Sequence, residues 1–288
     1  MILYQFKLCF IISISFSSLF LICLTYFVTK LTPKLRLINY RKVYFNSTKA
    51  FLYTANRKLI IYVHGPHDLI SHHIITHGTW EKEWQTQLSE FIVTNNQPQL
   101  LDLGCNVGVY TLTAAALGCR VVSIDVHMKN LNLLQQSVIS NGFQGRVWLF
   151  YNAVSNVRKG YKLQEIKENI GGQYLLNANE TESTVYGVYI DDIVSYFLKD
   201  KGIIIKMDIQ GFEIKAIEKS KRLFSERNVL AVLVEWIWIK NHPDIFIFIA
   251  FFMTRSYNPY LDFKSVIPLS VAKYRKWPTE IVWRKSIN

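Results

Sequence analysis

Cysteine and acidic side chains are both sparse in this 288-residue chain, and no apolar run beyond residue 29 is long enough to cross a bilayer. Of the four cysteines, Cys9 and Cys23 fall in an N-terminal apolar stretch, while Cys105 and Cys119 stand far apart from them. That placement excludes a disulfide framework and a zinc-spaced pair, and leaves the redox compartment open. Acids number 21 against 33 basic residues, for a net charge of +12. The excess is concentrated early: nine basic residues from Lys7 to Lys58 precede Gly78, against the single acid Asp68. The remainder lacks a basic stripe that could track a phosphate backbone, so the sequence predicts no nucleic-acid partner. Internal repeats and low-complexity tracts are also missing. His64, His67, His72, His73 and His77 cluster in the sequence, but only His73 and His77 have helical ligand spacing and no carboxylate-rich motif follows. No metal site is expected.

What the chain does have begins with Leu8 to Thr29, an uncharged stretch bounded by Lys7 and Lys30. As a helix it reaches about 33 Å, enough to cross a hydrocarbon core of roughly 30 Å. A cleaved signal peptide would have a shorter apolar core and a small-x-small cleavage site, whereas this segment ends Leu24-Thr25-Tyr26-Phe27-Val28. The expectation is an N-terminal transmembrane anchor over 1–29, a basic stem over 30–59 and a single domain over 60–288. Such a single-pass protein belongs in the endomembrane system (ER or Golgi). Its orientation stays open: Lys30, Lys34, Arg36, Arg41 and Lys42 favour a cytoplasmic domain, while the sequons at Asn46 and Asn179 favour a lumenal one.

Residues 100–125 carry the strongest motif. An apolar strand from Leu100 to Leu103 enters a loop with Gly104 and Gly108, a helical stretch follows, and a second apolar strand from Val121 ends in Asp125. Glycine at 104 lets a ligand approach the backbone, and Asp125 stands where a carboxylate can accept from both ribose hydroxyls. A dinucleotide fingerprint would need a second glycine where Asn106 stands, so a pyrophosphate has no cradle. Asp102, Gly104, Gly108 and the distal Asp125 together resemble motif I of the class I S-adenosylmethionine (SAM) methyltransferases, whose cofactor has a ribose and an amino-acid tail but no phosphate. The competing reading is an ordinary strand-to-helix turn.

The rest of the pattern alternates helices with apolar runs. Helices are predicted over 79–95, with Trp80, Trp84, Leu88 and Ile92 on one face, over 129–141 and over 212–224. Gly202 to Met207 and Val229 to Val234 read as central strands buried on both faces. Phe246 to Phe252 is too short for a second span and reads as core or cover. The expected fold is α/β: a doubly wound, mostly parallel Rossmann-like sheet of the class I methyltransferase type, preceded by one N-terminal transmembrane helix. Its ligands belong at the carboxyl ends of the strands.

Asp208 and Glu235 each end a central strand and should reach that edge beside Asp102 and Asp125. Methyl transfer from a sulfonium requires the protein to align the acceptor and, for a hydroxyl, to take its proton. Asp208 could be that base if a dry site raises its pKa, or it could orient the acceptor; capping of the following helix is the alternative.

Across residues 60–288 the chain resembles the FkbM family of methyltransferases. Asp102, Gly104, Asn106 and Gly108 match its first loop, with Cys105 in place of alanine; Asp208, Gly211 and Glu213 match its later Asp-x-Glu-Gly-x-Glu signature, with Gln210 in place of the first Glu. His67-Asp68 with Ser71, Asn152-Ala153-Val154-Ser155, Gly171-Gly172-Gln173 and Ile281-Val282-Trp283-Arg284 also look like family landmarks. The resemblance implies SAM as cofactor, held by Asp102, Gly104, Asn106, Gly108, Asp125, Asn152 and Ala153. It implies a hydroxyl-bearing glycan or small-molecule acceptor, with a catalytic carboxylate at Asp208 or Glu213 because Gln210 cannot act as a base. The family's usual Glu-Pro pair after the second strand is replaced by Asp125-Val126, a shorter carboxylate that still suits a ribose. Rival readings are a lipid or protein methyltransferase of the same fold, and a catalytically silent binding module.

Overall fold

The computed structural model describes residues 34–40, 47–55, 57–164, 174–178, 182 and 184–285. The expected anchor, most of residues 30–46, both sequon asparagines and the Gly171-Gly172-Gln173 landmark lie outside the described residues. Among the described residues no helix is long and apolar enough to cross a membrane. Residues Leu35–Asn288 group as one compact unit.

Its centre is a seven-stranded sheet. In chain order the strands are β3 (Gln99–Leu103), β4 (Val121–Asp125), β5 (Val147–Tyr151), β10 (Ile203–Met207), β11 (Val229–Glu235), β12 (Tyr257–Tyr260) and β13 (Glu280–Lys285). In space they run β12-β13-β11-β10-β3-β4-β5. The five from β5 to β11 are mutually parallel, and β13 runs antiparallel to both β11 and β12. The order reverses between β3 and β10, which makes their carboxyl ends the switch point where an open sheet of this kind takes its ligand.

Successive residues of a strand face opposite sides, so each strand feeds two cores. Leu100 packs with Leu88 and Ile92 of α2 (Lys82–Thr94), Leu112 of α3 (Val109–Ala116) and Leu131 and Leu134 of α4 (Met128–Ser140). Leu101 and Leu103 pack on the other side with Ile214 and Ile217 of α5 (Glu213–Glu218), Leu223 of α6 (Lys221–Glu226) and Phe248 of α7 (Ile245–Met253). A smaller sheet joins β6 (Ala153–Val154), β9 (Val185–Val188), β7 (Gly160–Gln164) and β8 (Tyr174–Asn177).

Two expectations are revised. The domain boundary expected at residue 60 falls inside a hairpin of β1 (Thr48–Tyr53) and β2 (Lys58–Val63). Alternation buries Leu52, Leu59, Ile61 and Val63 in the core, and the Asn141 side chain exchanges two hydrogen bonds with the backbone of Ile60, at 3.0 and 2.6 Å. Part of the expected stem thus belongs to the domain, as does the pairing of Ile38 N–H with the Leu149 carbonyl at 2.8 Å. The helix expected over 212–224 is two helices, because Asp191 accepts from the backbone N–H groups of Arg222 and Leu223, at 3.0 and 2.9 Å, and starts α6 afresh.

Candidate active site

The β3 strand leads into the loop Gly104–Gly108, with positive φ at Gly104 (76°), Asn106 (49°) and Gly108 (94°). The glycines answer packing needs. A Cβ on Gly104 would stand 1.8 Å from the backbone oxygen of Asp208, and one on Gly108 would stand 2.2 Å from Leu134 Cδ1. The close meeting of the loop after β10 with the loop after β3 is enough to favour glycine at 104, which also borders the cavity described next. Asp208 N–H donates to the Leu103 carbonyl at 3.1 Å and closes the same contact.

On one side of this seam lies a cavity with about 660 Å³ of empty space, part of it open to solvent. Its polar edge is Asn106, Asp125, His127, Asn130, Asn152 and Asp208; its apolar walls include Ile124, Val126, Val154, Ile209 and Phe212. Asp125 ends β4 with both carboxylate oxygens fixed by backbone: Oδ2 accepts from Asn106 N–H at 2.8 Å and Oδ1 from His127 N–H at 2.7 Å. Burial pushes its pKa up to about 6 against the pull of those two donors. Each oxygen keeps a further acceptor direction for a diol. Asn152 accepts from Arg36 N–H at 2.9 Å and donates to the Tyr186 carbonyl at 3.0 Å, while Asn130 is buttressed by His64 at 2.7 Å.

Three of the expected site residues stand behind this surface. Asp102 is 0% exposed, accepts from Thr111 Oγ1 at 2.6 Å and does not line the cavity. Its Oδ1 has no partner among the described residues, and burial raises its pKa. Ala153 is buried in β6, paired with Gly187. Glu213, expected as a catalytic candidate, is 0% exposed and accepts from Ile209 N–H at 3.0 Å. It holds the loop from behind, with a pKa pushed by burial to about 7. The Asp68 landmark is an N-cap: its Oδ2 accepts from Ser71 N–H at 2.9 Å and Ser71 Oγ at 2.6 Å, opening α1 (Leu69–His77).

Asp208 joins the cavity to a second cleft of about 320 Å³ on the far side of Gly104, walled by Ile70, Trp80 and Tyr110 with Glu81 and Lys206. Lys206 Nζ donates to Asp208 Oδ2 at 3.0 Å and to the Gly104 carbonyl at 3.3 Å. Gln210, at φ 53°, donates through Nε2 to Asp208 Oδ1 at 2.9 Å and to Glu235 Oε2 at 3.3 Å. The Asp208 side chain is 30% exposed and does not cap the helix after it. Burial opposes its ionisation, but Lys206 and these hydrogen bonds hold its pKa below the usual carboxylate range. The raised pKa that a general base at Asp208 would need is found instead at Glu235, through burial and the adjoining Asp208. Burial alone would lower the Lys206 pKa, and the charges of Asp208, Asp102 and Glu81 outweigh that effect and raise it.

Sequence reading placed Lys206 in the substrate-side segment 206–213 without giving it a role, and missed Glu81 and Tyr110. Tyr110 OH donates to Glu81 Oε2 at 2.6 Å, and Glu81 itself sits in the left-handed region at φ 48°. Lysine inside the otherwise apolar run Ile203–Met207 was the available signal.

No protein-family model matches the chain, and no curated protein matches it. Solved structures similar to it include a Pyrococcus abyssi tRNA (uracil-54, C5)-methyltransferase in complex with S-adenosyl-L-homocysteine, at 12% identity over 84% of this chain and 45% of that one, TM-score 0.42. An rRNA methylase from Streptococcus thermophilus matches at 11% identity over 72% of this chain and 99% of that one, TM-score 0.39. The bifunctional kinase-methyltransferase WbdD matches at 13% identity over 69% of this chain, TM-score 0.38, and the chain spans only 37% of its length. TM-scores below 0.5 are too low to carry a function, a substrate or the FkbM resemblance across.

Proposed function

We propose that the chain is a SAM-dependent methyltransferase of the FkbM type, acting on a hydroxyl of a glycan or small-molecule acceptor and held at an endomembrane by residues 1–29. The observation that carries this reading is Asp125: a carboxylate with both oxygens fixed by backbone N–H groups, on the rim of a cavity that also reaches Asp208. Fixed oxygens with free acceptor directions suit a ribose diol. The apolar walls at Val126, Val154 and Phe212 suit a base, and nothing around Asn106 offers a cradle for a pyrophosphate. SAM, when bound, supplies an activated methyl group on a sulfonium.

The residues of the chain then divide the remaining work. Asn106, Asp125, Asn130 and Asn152 hold the nucleoside. Asp208 accepts a hydrogen bond from the acceptor hydroxyl and aligns its oxygen. Low basicity at Asp208 is compatible with this role, because a hydroxyl oxygen becomes strongly acidic as it gains a methyl group, and the proton passes to the carboxylate late. Lys206 keeps Asp208 ionised and ready for it.

Calorimetry on the full chain tests the cofactor half: SAM and its demethylated product should bind, and NAD should not. Binding of NAD alone would overturn the assignment. SAM binding without methyl incorporation into any glycan, lipid or small-molecule extract would favour a silent binding module.

A further inference from the structure

The helix α7 is apolar on every side: Ile245-Phe246-Ile247-Phe248-Ile249-Ala250-Phe251-Phe252-Met253 contains no polar side chain. Such a helix is normally buried all round. Here Ile245, Phe248, Ile249, Phe251 and Phe252 enter the core, while Phe246 is 60%, Ile247 49% and Met253 41% exposed. Two neighbouring segments extend this face. Phe246 packs edge-on against Tyr274, with ring centroids 5.4 Å apart, in the short 3₁₀ helix Val271–Lys276, none of whose residues is buried. Ile237 and Trp238, 39% and 52% exposed, precede α7 and are tied to the same stretch by Ile237 N–H donating to the Thr279 carbonyl at 3.1 Å. Over residues 236–253 and 271–279 the formal charges are Lys240, Lys273, Arg275 and Lys276 against Asp244 alone.

We infer that this face, the outer side of α7 with Trp238 and the Lys273–Lys276 cations, docks in the plane of an anionic phospholipid bilayer. Exposed aliphatic and aromatic side chains beside a cationic rim are what an interfacial helix presents to headgroups and acyl chains, and tryptophan is the side chain favoured at that depth. A second copy of the chain is the poorer occupant, since an isologous contact would set the four cations of one copy against those of the other. Trp238 also donates to Glu235, which shares Gln210 with Asp208. A run of hydrogen bonds therefore links the docked face, through Glu235 and Gln210, to Asp208. On the methyl-transfer reading this favours an acceptor carried by the membrane, but docking itself is independent of that reading.

Hydrogen–deuterium exchange of the full chain tests it, with nanodiscs of phosphatidylcholine alone, nanodiscs containing phosphatidylserine, and no lipid. Backbone amides of 236–253 and 271–279 should exchange about threefold or more slowly with phosphatidylserine present than without it. Lys273→Gln/Arg275→Gln/Lys276→Gln should abolish that difference, and Phe246→Ser/Ile247→Ser should weaken it. Equal exchange in all three conditions overturns the proposal. Protection without lipid that rises with protein concentration identifies a second copy instead, and lipid-independent protection lost on deleting residues 1–33 identifies the chain's own apolar segment; either result also overturns it.

Discussion

Lys206 Nζ stands 3.0 Å from Asp208 Oδ2, two residues along the same chain segment, and bridges to the Gly104 carbonyl at 3.3 Å. A single buried ammonium thus ties together the loops after β3 and β10 and keeps the half-buried Asp208 charged. Around it face Asp102 from β3, Glu81 and Tyr110 from the start of α2 and from α3, Glu235 from β11 and Glu280 from β13. Among the described residues, the charge balance of the site hangs on Lys206.

Replacing it should accordingly be costly. Lys206→Met leaves Asp102 and Asp208 without a counter-charge, and breaking a buried pair in this way destabilises a protein by about 3–5 kcal/mol. Urea unfolding should show that loss, with Lys206→Arg recovering part of it. In the Met variant the Asp208 carboxyl, followed by carbon-13 NMR, should titrate at higher pH than in the parent. An unchanged titration would mean that Lys206 does not control Asp208.

Asp125 gives a sharper substitution test. Asp125→Ala should lower SAM affinity by about 1.5–3 kcal/mol, the range for hydrogen bonds to a charged group. Asp125→Asn should be nearly as damaging, because both oxygen positions already accept from backbone N–H groups and an amide NH₂ would face one of those donors. Calorimetry giving parental affinity for the Asn variant would remove the carboxylate from the ribose site.

The legible parts of this molecule are those whose physics is local. Nearly unbroken apolar runs identified β3, β4, β10 and β11, and the residues that end them, Asp125, Asp208 and Glu235, do reach one edge of the sheet. Their partners were not legible. Whether Asp102 or Glu213 faces a cavity or the core depends on Thr111 and Ile209 meeting them, which motif spacing does not report. The break between α5 and α6 depends on Asp191, about thirty residues away, competing for N–H groups. The β1–β2 hairpin was readable in principle from the period-two alternation of Leu59, Ile61 and Val63, but the basic side chains around it suggested a stem.

Glu213 makes stability depend on pH in an unusual direction. Its folded pKa, about 7, lies above the ordinary 4.5, so the folded state binds the proton more tightly than the unfolded one. Stability therefore falls as pH rises from about 4.5 through 7, by up to about 3 kcal/mol for this group. Glu213→Gln cannot lose a proton, so its stability relative to the parent should improve by about that amount between pH 5 and pH 8. Guanidinium unfolding at the two pH values checks this, and a constant difference would show that Glu213 titrates normally.

Gly104 separates a packing role from a ligand-approach role. If glycine is required by the seam with Asp208, Gly104→Ala must move a backbone oxygen that would lie 1.8 Å from the new Cβ, and must also hold alanine at φ 76°. Overpacking and left-handed strain each cost about 1–3 kcal/mol, so the variant should lose roughly 3 kcal/mol or more of stability. Gly211→Ala is the control: φ is 93°, but nothing lies within 4 Å of the added carbon, so only the strain remains. Thermal and denaturant unfolding should rank parent, Gly211→Ala and Gly104→Ala in that order. A Gly104→Ala protein that unfolds like the parent yet no longer binds SAM would reverse the assignment, leaving ligand approach as the reason for glycine at that position.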